Sequence, residues 1–193
     1  YEIPKALLRG TAMPDHVILA AGPSLADATY ETRYAATRAV SRAIAAPLAV
    51  EDMVVQAMPD TSPTKWHLAH VTWFFETFVL ARFVPGYRCF DADYAFLFNS
   101  YYEGAGDRHA RPERGLITRP TVAEVLDYRD YVDAAMARLL AEVPDNAEVA
   151  QLVELGINHE QQHQELMLMD ILNLFSRNPL RPTYVAASAM PQE

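Results

Sequence analysis

NHEQQHQEL runs from Asn158 to Leu166. It lies inside a stretch, from about Ala147 to Phe175, that contains no proline and only one glycine, so the pattern predicts a single long helix. His159 and His163 are four residues apart, which places both imidazoles on one face of that helix, one turn above the other. Two neutral nitrogen atoms in this geometry can bind the same metal ion.

The histidine pair is expected to face the protein interior. Apolar residues fall on or beside the same stripe of the helix, namely Leu152, Leu155, Leu166, Met167 and Ile171. Two core histidines, each with a hydrogen-bonding partner, are the alternative. That alternative explains a single buried histidine more easily than two histidines on the same face of a helix, so the pattern favours a metal site.

The same letters match the H-E-x-x-H pattern of zinc proteases, in which the glutamate is the general base. Such a protease takes its third ligand downstream, typically a glutamate or a histidine. The thirty residues after His163 contain no histidine, and their only glutamates are Glu165, on the same helix, and Glu193. The protease interpretation therefore lacks a ligand, and a third ligand is expected upstream.

The other polar residues of this helix are assigned by their rotation about its axis. Glu160 is rotated by about 100° from His159. We therefore predict that Glu160 is neither a metal ligand nor a protease base. Gln162 and Glu165 lie nearer the histidine face or its flank, and they are candidates for polar support beside the ligands.

Composition narrows the class of protein. The chain has 193 residues, enough for one domain with a sizeable core. Its net charge of −9 and the absence of a lysine or arginine cluster argue against binding to nucleic acid or to an anionic membrane. The single cysteine, Cys89, cannot form an internal disulfide, which favours a cytoplasmic protein. No apolar run approaches the length of a membrane span.

We expect residues 1–23 to form an arm, residues 24–178 a helical bundle, and residues 179–193 a tail or linker. The first helix should begin near Ser24 and run for five or six turns. Ala35 and Ala39 belong to its apolar stripe, and three arginines are expected to cover its solvated side: Arg33, Arg38 and Arg42.

A second helix is predicted from Thr64 to about Phe83, with Ser62 as the N-cap and Pro63 as the first helical residue. It is apolar almost all round, as expected of a buried helix. His67 and His70 lie inside it, and a buried imidazole without a partner costs about 1–3 kcal/mol. Because the distant histidine pair needs a third ligand, one of these two residues is a candidate for it.

Residues 84 to about 120 form the one long stretch predicted to be non-helical. Its many aromatic residues, among them Tyr101 and Tyr102, indicate a loop that packs on itself. Four arginines follow, and either they are solvated or one of them binds a substrate carboxylate: Arg108, Arg111, Arg114 and Arg119. Thr121 and Glu124 then form a capping box that opens a third helix, before the helix of the histidine pair. The fold class is therefore all-α, a four-helix bundle with a long aromatic-rich loop between helices 2 and 3.

Five segments resemble the first half of the sulfoxide synthases of ergothioneine biosynthesis. The segments are Ser62–His70 (SPTKWHLAH), Trp73–Phe78 (WFFETF), Leu97–Tyr102 (LFNSYY), His159–Leu166 (HEQQHQEL) and Asn178–Pro182 (NPLRP). The resemblance extends from about residue 30 to residue 183. It implies a DinB-like four-helix bundle followed, in the family, by a second domain related to the formylglycine-generating sulfatase-modifying factor, which lies outside these 193 residues.

The resemblance also implies a ligand set and a reaction. The family holds iron(II) with three histidines, which correspond here to His70, His159 and His163, and it leaves His67 a supporting or packing role. The reaction is the O2-dependent joining of cysteine or γ-glutamylcysteine to the imidazole C2 of hercynine, with oxidation of the sulfur. Arg108 or Arg111 could pair with a substrate carboxylate, and the bundle alone is expected to be catalytically incomplete.

Two other classes remain open at this stage. One is a DinB-like, zinc- or nickel-dependent thiol transferase, which uses a similar bundle and histidine triad without oxygen chemistry. The other is a non-catalytic bundle in which the metal is structural. The three histidines alone do not separate iron from zinc, because zinc accepts the same ligands.

Overall fold

A computed structural model describes residues 28–100 and 106–185, and every regular element in these two ranges is a helix. The helices are α1 (Tyr30–Ala45), α2 (Thr64–Phe75), α3 (Ala81–Phe83), α4 (Tyr94–Phe98), α5 (Val122–Glu142) and α6 (Ala147–Ser176). A π-helical turn, Glu76–Leu80, joins α2 to α3, and a 3-10 helix spans Arg111–Leu116. The predicted all-α class is confirmed. The predicted arm, together with Tyr101 and Tyr102 of the loop, lies outside the described residues.

The bundle consists of α1, α5, α6 and the run from α2 to α3. Helices α1 and α2 each pack against both α5 and α6. All twelve residues of α2 are buried, as its apolar composition predicted. Large side chains from the bundle fill one core, including Trp66, Trp73, Phe74, Phe75, Tyr128, Met136, Ile157 and Met167. Within the described ranges, no helix has both the length and the apolar character needed to cross a membrane.

Helix α6 extends over nearly the range predicted for it and packs closely on α2. The side chain of Asn146 caps it by accepting from the backbone N–H groups of Glu148 and Val149 at 3.0 and 3.1 Å. A Cβ atom added to Gly156 would lie 2.4 Å from Cε1 of Phe75, which is closer than atoms can approach. Glycine at this position therefore permits the contact between α6 and α2. One prediction for this helix is wrong, because Leu155 is 54% exposed and does not belong to the buried stripe.

Helix α1 differs from the expectation in its rotation. Arg38, predicted on the solvated side, is buried, whereas Ala35 and Ala39 of the expected apolar stripe are exposed. The reason is that Arg38 has carboxylate partners inside the protein, Asp133 at 2.7 Å and Glu160 at 2.9 Å. A buried charge is tolerated where such partners compensate its loss of water.

The beginning of α2 and the following loop also differ from the expectation. Pro63, and not Ser62, occupies the N-cap position of α2. The backbone N–H of Ser62 donates instead to Asp170 at 2.9 Å, and its hydroxyl accepts from Arg114 at 2.9 Å. The loop contains α4 and the 3-10 helix, so the prediction of a wholly non-helical stretch is wrong. Its aromatic packing is present, since Tyr94 and Phe98 are buried with ring centroids 5.1 Å apart.

Candidate metal centre

Three histidines meet between α2 and α6. His70 comes from α2, and His159 and His163 come from successive turns of α6. The centroids of their rings are 4.6 Å apart for His159 and His163, 4.7 Å for His70 and His163, and 4.9 Å for His70 and His159. One nitrogen from each residue lies within 4.8 Å of the other two, a spacing suitable for a shared metal ion. The structure thus brings the predicted ligands together, and their binding of a metal stays a prediction.

His70 is fixed by its neighbours. Its ring is stacked between the indoles of Trp66, with centroids 4.5 Å apart, and Trp73, with centroids 5.6 Å apart. Its Nδ1 lies 2.6 Å from the carbonyl oxygen of Phe98. Because a carbonyl oxygen only accepts, Nδ1 must carry the proton. The Nε2 atom of neutral His70 therefore carries the lone pair that a metal requires.

His67 contacts the centre from outside the three-histidine group. Its Nδ1 lies 2.8 Å from Nδ1 of His163, and its Nε2 lies 3.0 Å from the carboxylate of Asp170. The resemblance implies a supporting or packing role for His67, whereas no role follows from it for Asp170. A signal was present, because Asp170 follows His163 by seven residues and therefore lies two turns further along the same helix face.

Burial keeps the histidines of this centre neutral. It lowers the pKa of His70 well below the usual value, and the neighbouring His159 adds to the effect. Burial lowers the pKa of His159 to about 4. Burial, followed by the other histidines of the cluster, also lowers the pKa of His163. Neutral imidazole is the form that binds metal, so at neutral pH the three histidines can bind a metal ion without first releasing protons.

Glu160 lies between the two histidines in sequence but is bound elsewhere. Its carboxylate accepts hydrogen bonds from Arg38 at 2.9 Å, Arg129 at 3.0 Å and the hydroxyl of Ser41 at 2.6 Å. Burial alone would raise the pKa of Glu160, but the two guanidinium groups outweigh it and lower the pKa to about 2. The prediction that Glu160 is not a metal ligand agrees with these contacts, and its exclusion as a protease base stays a prediction.

A cavity of about 420 Å³ lies beside the centre and is bordered by His67, His70 and His163, but not by His159. His70 and His163 form part of its wall, together with Arg111, Arg114 and Gln162. Gln162 thus lines the same cavity as His70 and His163, and its role as polar support for the ligands stays a prediction. Glu165, proposed with it, is exposed and is not among the residues that line this cavity.

The loop arginines lie in different places. Arg108 donates to the backbone carbonyl of Ser100 at 2.6 Å and lines a separate pocket of the loop. Arg111 donates to the backbone carbonyl of Asp60 and lines the histidine cavity. Of the two predicted carboxylate-binding residues, the structure therefore brings only Arg111 to the three-histidine centre.

Arg114, one of the four loop arginines, also lines the cavity, although only Arg108 and Arg111 were proposed as carboxylate-binding residues. Its guanidinium carbon lies 3.3 Å from the centroid of the Trp66 ring, and its nitrogens donate to Ser62 at 2.9 Å and to Ser100 at 3.1 Å. It is 4% exposed. The wall of the cavity thus carries two guanidinium groups and several polar side chains, together with the neutral imidazoles of His70 and His163.

The sequence model of the DinB superfamily matches residues 33–167, a span that contains all three histidines. DinB-like domains often bind metal, and the superfamily includes metal-dependent enzymes. No curated protein matches the chain.

Proposed function

The chain belongs to the DinB superfamily, and on this basis we propose that it is the metal-binding part of an iron(II)- and O2-dependent sulfoxide synthase. The observation that carries the proposal is the group of three neutral histidines, two of which line a cavity together with two arginines. The motif resemblance adds the substrates, which are hercynine and a cysteine-type thiol.

The residues present fit the proposed metal. His70, His159 and His163 would hold it, and three neutral imidazoles suit iron(II) while leaving other coordination positions for substrates. When bound, iron(II) would supply the electron-transfer chemistry that activates dioxygen. The stacked Trp66 and Trp73 restrict the orientation of His70, and Gly156 permits the close approach of α6, so the ligands are held before the metal arrives.

The polar wall of the cavity suits a substrate with a carboxylate. Arg111 and Arg114 give this wall positive charge, and a guanidinium can bind a carboxylate through two parallel hydrogen bonds. Both hercynine and the thiol substrates carry such a group. The cavity would orient the reactants beside the histidines, which is the contribution that this chain can make to the rate.

The proposed reaction is balanced by dioxygen alone. The thiol loses its S–H hydrogen, the imidazole loses its C2–H hydrogen, and a C–S bond forms between them. One oxygen atom of O2 is transferred to the sulfur, and the other leaves as water with the two hydrogens. Four electrons pass to O2, two from formation of the C–S bond and two from oxidation of the sulfur, so no further reductant is needed.

A zinc-dependent thiol transferase is the second candidate, and the donor set favours it to the same degree. Zinc binds three histidines and keeps a further position for a thiolate. Such an enzyme would transfer the thiol without consuming oxygen. The two proposals therefore differ in the metal retained and in the dependence on O2.

The test is metal analysis of anaerobically purified protein, combined with oxygen uptake in the presence of hercynine and a thiol. Both the 193-residue chain and any longer protein that contains it should be assayed, because the family supplies part of the substrate pocket from a second domain. We expect iron in both and hercynine-dependent uptake in the longer protein. His159→Ala should abolish iron binding, whereas His109→Ala, at a histidine outside the centre, should not. Bound zinc with thiol transfer and no oxygen uptake would overturn the proposal in favour of the second candidate.

A further inference from the structure

We propose that Asp170 and His67 form a hydrogen-bonded chain that holds the proton of His163 on Nδ1 and so directs the Nε2 lone pair of His163 to the metal position. The inference rests on the metal centre of the proposed function. It assigns to Asp170 and His67 a positioning role and no contact with the metal.

The chain begins at the carboxylate of Asp170. Its Oδ2 atom accepts a hydrogen bond from the backbone N–H of Ser62 at 2.9 Å, and Nε2 of His67 lies 3.0 Å from the same atom. A carboxylate oxygen that already receives one hydrogen bond is an acceptor for the second as well. His67 must therefore carry a proton on Nε2.

The proton on Nε2 determines whether Nδ1 of His67 donates or accepts a hydrogen bond. His67 is 3% exposed and its ring lies 5.1 Å from that of His163, a crowded and dry position that favours neutral imidazole. Neutral imidazole has one proton, so Nδ1 of His67 carries a lone pair and accepts. Its neighbour at 2.8 Å is Nδ1 of His163, which must then be the donor.

The tautomer of His163 follows from this hydrogen bond. With its proton on Nδ1, neutral His163 has its lone pair on Nε2. His70 reaches the same state by a different route, because its Nδ1 donates to the backbone carbonyl of Phe98. Hydrogen bonds to the second ring nitrogen commonly fix the tautomer and orientation of a metal-binding histidine and strengthen it as a donor. In this centre the backbone carbonyl of Phe98 fixes the tautomer of His70, and the side chains of His67 and Asp170 fix that of His163.

The first experiment reads the tautomer directly in metal-free protein. Long-range 1H–15N spectra of protein labelled at histidine distinguish protonated from unprotonated ring nitrogens, and the signals of His163 are identified by their loss in His163→Ala. We expect the proton of His163 on Nδ1 and that of His67 on Nε2. His67→Phe, which keeps an aromatic ring but removes both nitrogens, should let the proton of His163 shift to Nε2. Observation of His163 protonated on Nε2 in the wild-type protein would overturn the inference.

The second experiment measures the dissociation constant for iron(II) under anaerobic conditions by competition with a chromophoric chelator. His67→Phe and Asp170→Leu should weaken binding by about 10–100-fold. Asp170→Asn retains an oxygen that can accept from His67, so it should restore most of the affinity. Asp127→Asn removes the same charge from an exposed position on α5 and serves as the matched control. Circular dichroism and urea unfolding establish that each variant is folded before binding is measured.

The outcomes separate the inference from the function on which it rests. If the wild-type protein binds no metal, the proposed function fails, while the spectra still decide the tautomer of His163. If metal binds and His67→Phe and Asp170→Leu bind as tightly as Asp127→Asn, the positioning role is wrong and the function stands. Weakening in both variants, with recovery in Asp170→Asn, supports the chain from Asp170 to His163.

Discussion

Glu160 of α6 and Arg129 of α5 form an ion pair of 3.0 Å in which neither side chain is exposed. Arg38 of α1 binds the other carboxylate oxygen of Glu160 at 2.9 Å. One carboxylate therefore joins three helices of the bundle. Because Glu160 follows His159 directly, this junction also sets the rotation of α6 that turns His159 and His163 towards α2.

We predict that Glu160→Gln destabilises the protein by about 3–5 kcal/mol, because it leaves the buried guanidinium of Arg129 without its carboxylate and leaves Arg38 with Asp133 alone. The measurement is the free energy of unfolding in urea. Glu148→Gln is the matched control, since Glu148 is on the same helix and pairs with Arg82 at the surface. That exposed pair should contribute about 0–1 kcal/mol. A difference between the two variants of less than about 1 kcal/mol would contradict the prediction.

Gly156→Ala should destabilise the protein by about 1–3 kcal/mol through overpacking. The new methyl group would lie 2.4 Å from Phe75 and 2.9 Å from Phe74, so α6 would have to move away from α2. His159 is three residues further along α6, and the displacement should therefore weaken metal binding as well. Both effects are measurable, by urea unfolding and by chelator competition.

A double variant tests whether the contact with Phe75 causes the loss of stability expected in Gly156→Ala. Phe75→Leu removes ring atoms from the space that the methyl group would occupy. We expect the combination of Gly156→Ala and Phe75→Leu to cost less stability than the sum of the two single changes, as for residues in contact. If the two stability changes add exactly in the double variant, the contact with Phe75 is not the reason that position 156 requires glycine.

The features that follow from local spacing could be predicted from the sequence. The histidine pair and the length of α6 depend on helical periodicity, and Thr121 with Glu124 forms the expected capping box. The burial of α2 follows from its composition. Each of these depends on residues close to one another in the chain.

The features that the sequence did not reveal depend on distant partners. Arg38 is 122 residues from Glu160 in sequence, so its own helix contains no sign that its charge is compensated inside the protein. An arginine on a helix with unknown partners is expected in solvent. The chain from Asp170 through His67 to His163 likewise joins α6 to α2, and the place of Arg114 in the cavity depends on how the loop folds back over Trp66.

Metal-free protein should lose stability as the pH falls from 6.5 towards about 4. The folded state lowers the pKa of His70, His159 and His163 from the usual 6.5, to about 4 for His159. Below pH 6.5 the unfolded chain therefore binds more protons than the folded protein, and the free energy of unfolding falls. Above pH 6.5 these groups are neutral in both states and add no pH dependence. Below about pH 4.5 the lowered pKa of Glu160 continues the loss of stability.

The test of this prediction is urea unfolding of chelator-treated protein between pH 7.5 and 5.0. Each histidine that stays neutral when folded should contribute a slope of up to about 1.4 kcal/mol per pH unit. His159→Leu removes one such group and should flatten the profile. An unaltered slope in His159→Leu would show that His159 is protonated in the folded protein over this range.

The loop arginines provide the last prediction, which depends on the proposed function. Arg111 lines the cavity beside His70 and His163, whereas Arg108 lines a separate pocket. If Arg111 binds the substrate carboxylate with equal strength before and during the reaction, Arg111→Ala should raise the KM for that substrate more than it lowers kcat. Loss of one such charged hydrogen bond corresponds to about 1.5–3 kcal/mol, or roughly a tenfold to hundredfold rise in KM.

Arg108→Ala is the matched control, in the same loop and with the same loss of charge, and it should change KM little. Steady-state oxygen uptake with hercynine and the thiol varied in turn also identifies which carboxylate is bound, because only the KM for that substrate should rise. Equal effects of the two substitutions would mean that the loop acts through its overall charge, and a larger effect of Arg108→Ala would place the carboxylate site in the other pocket.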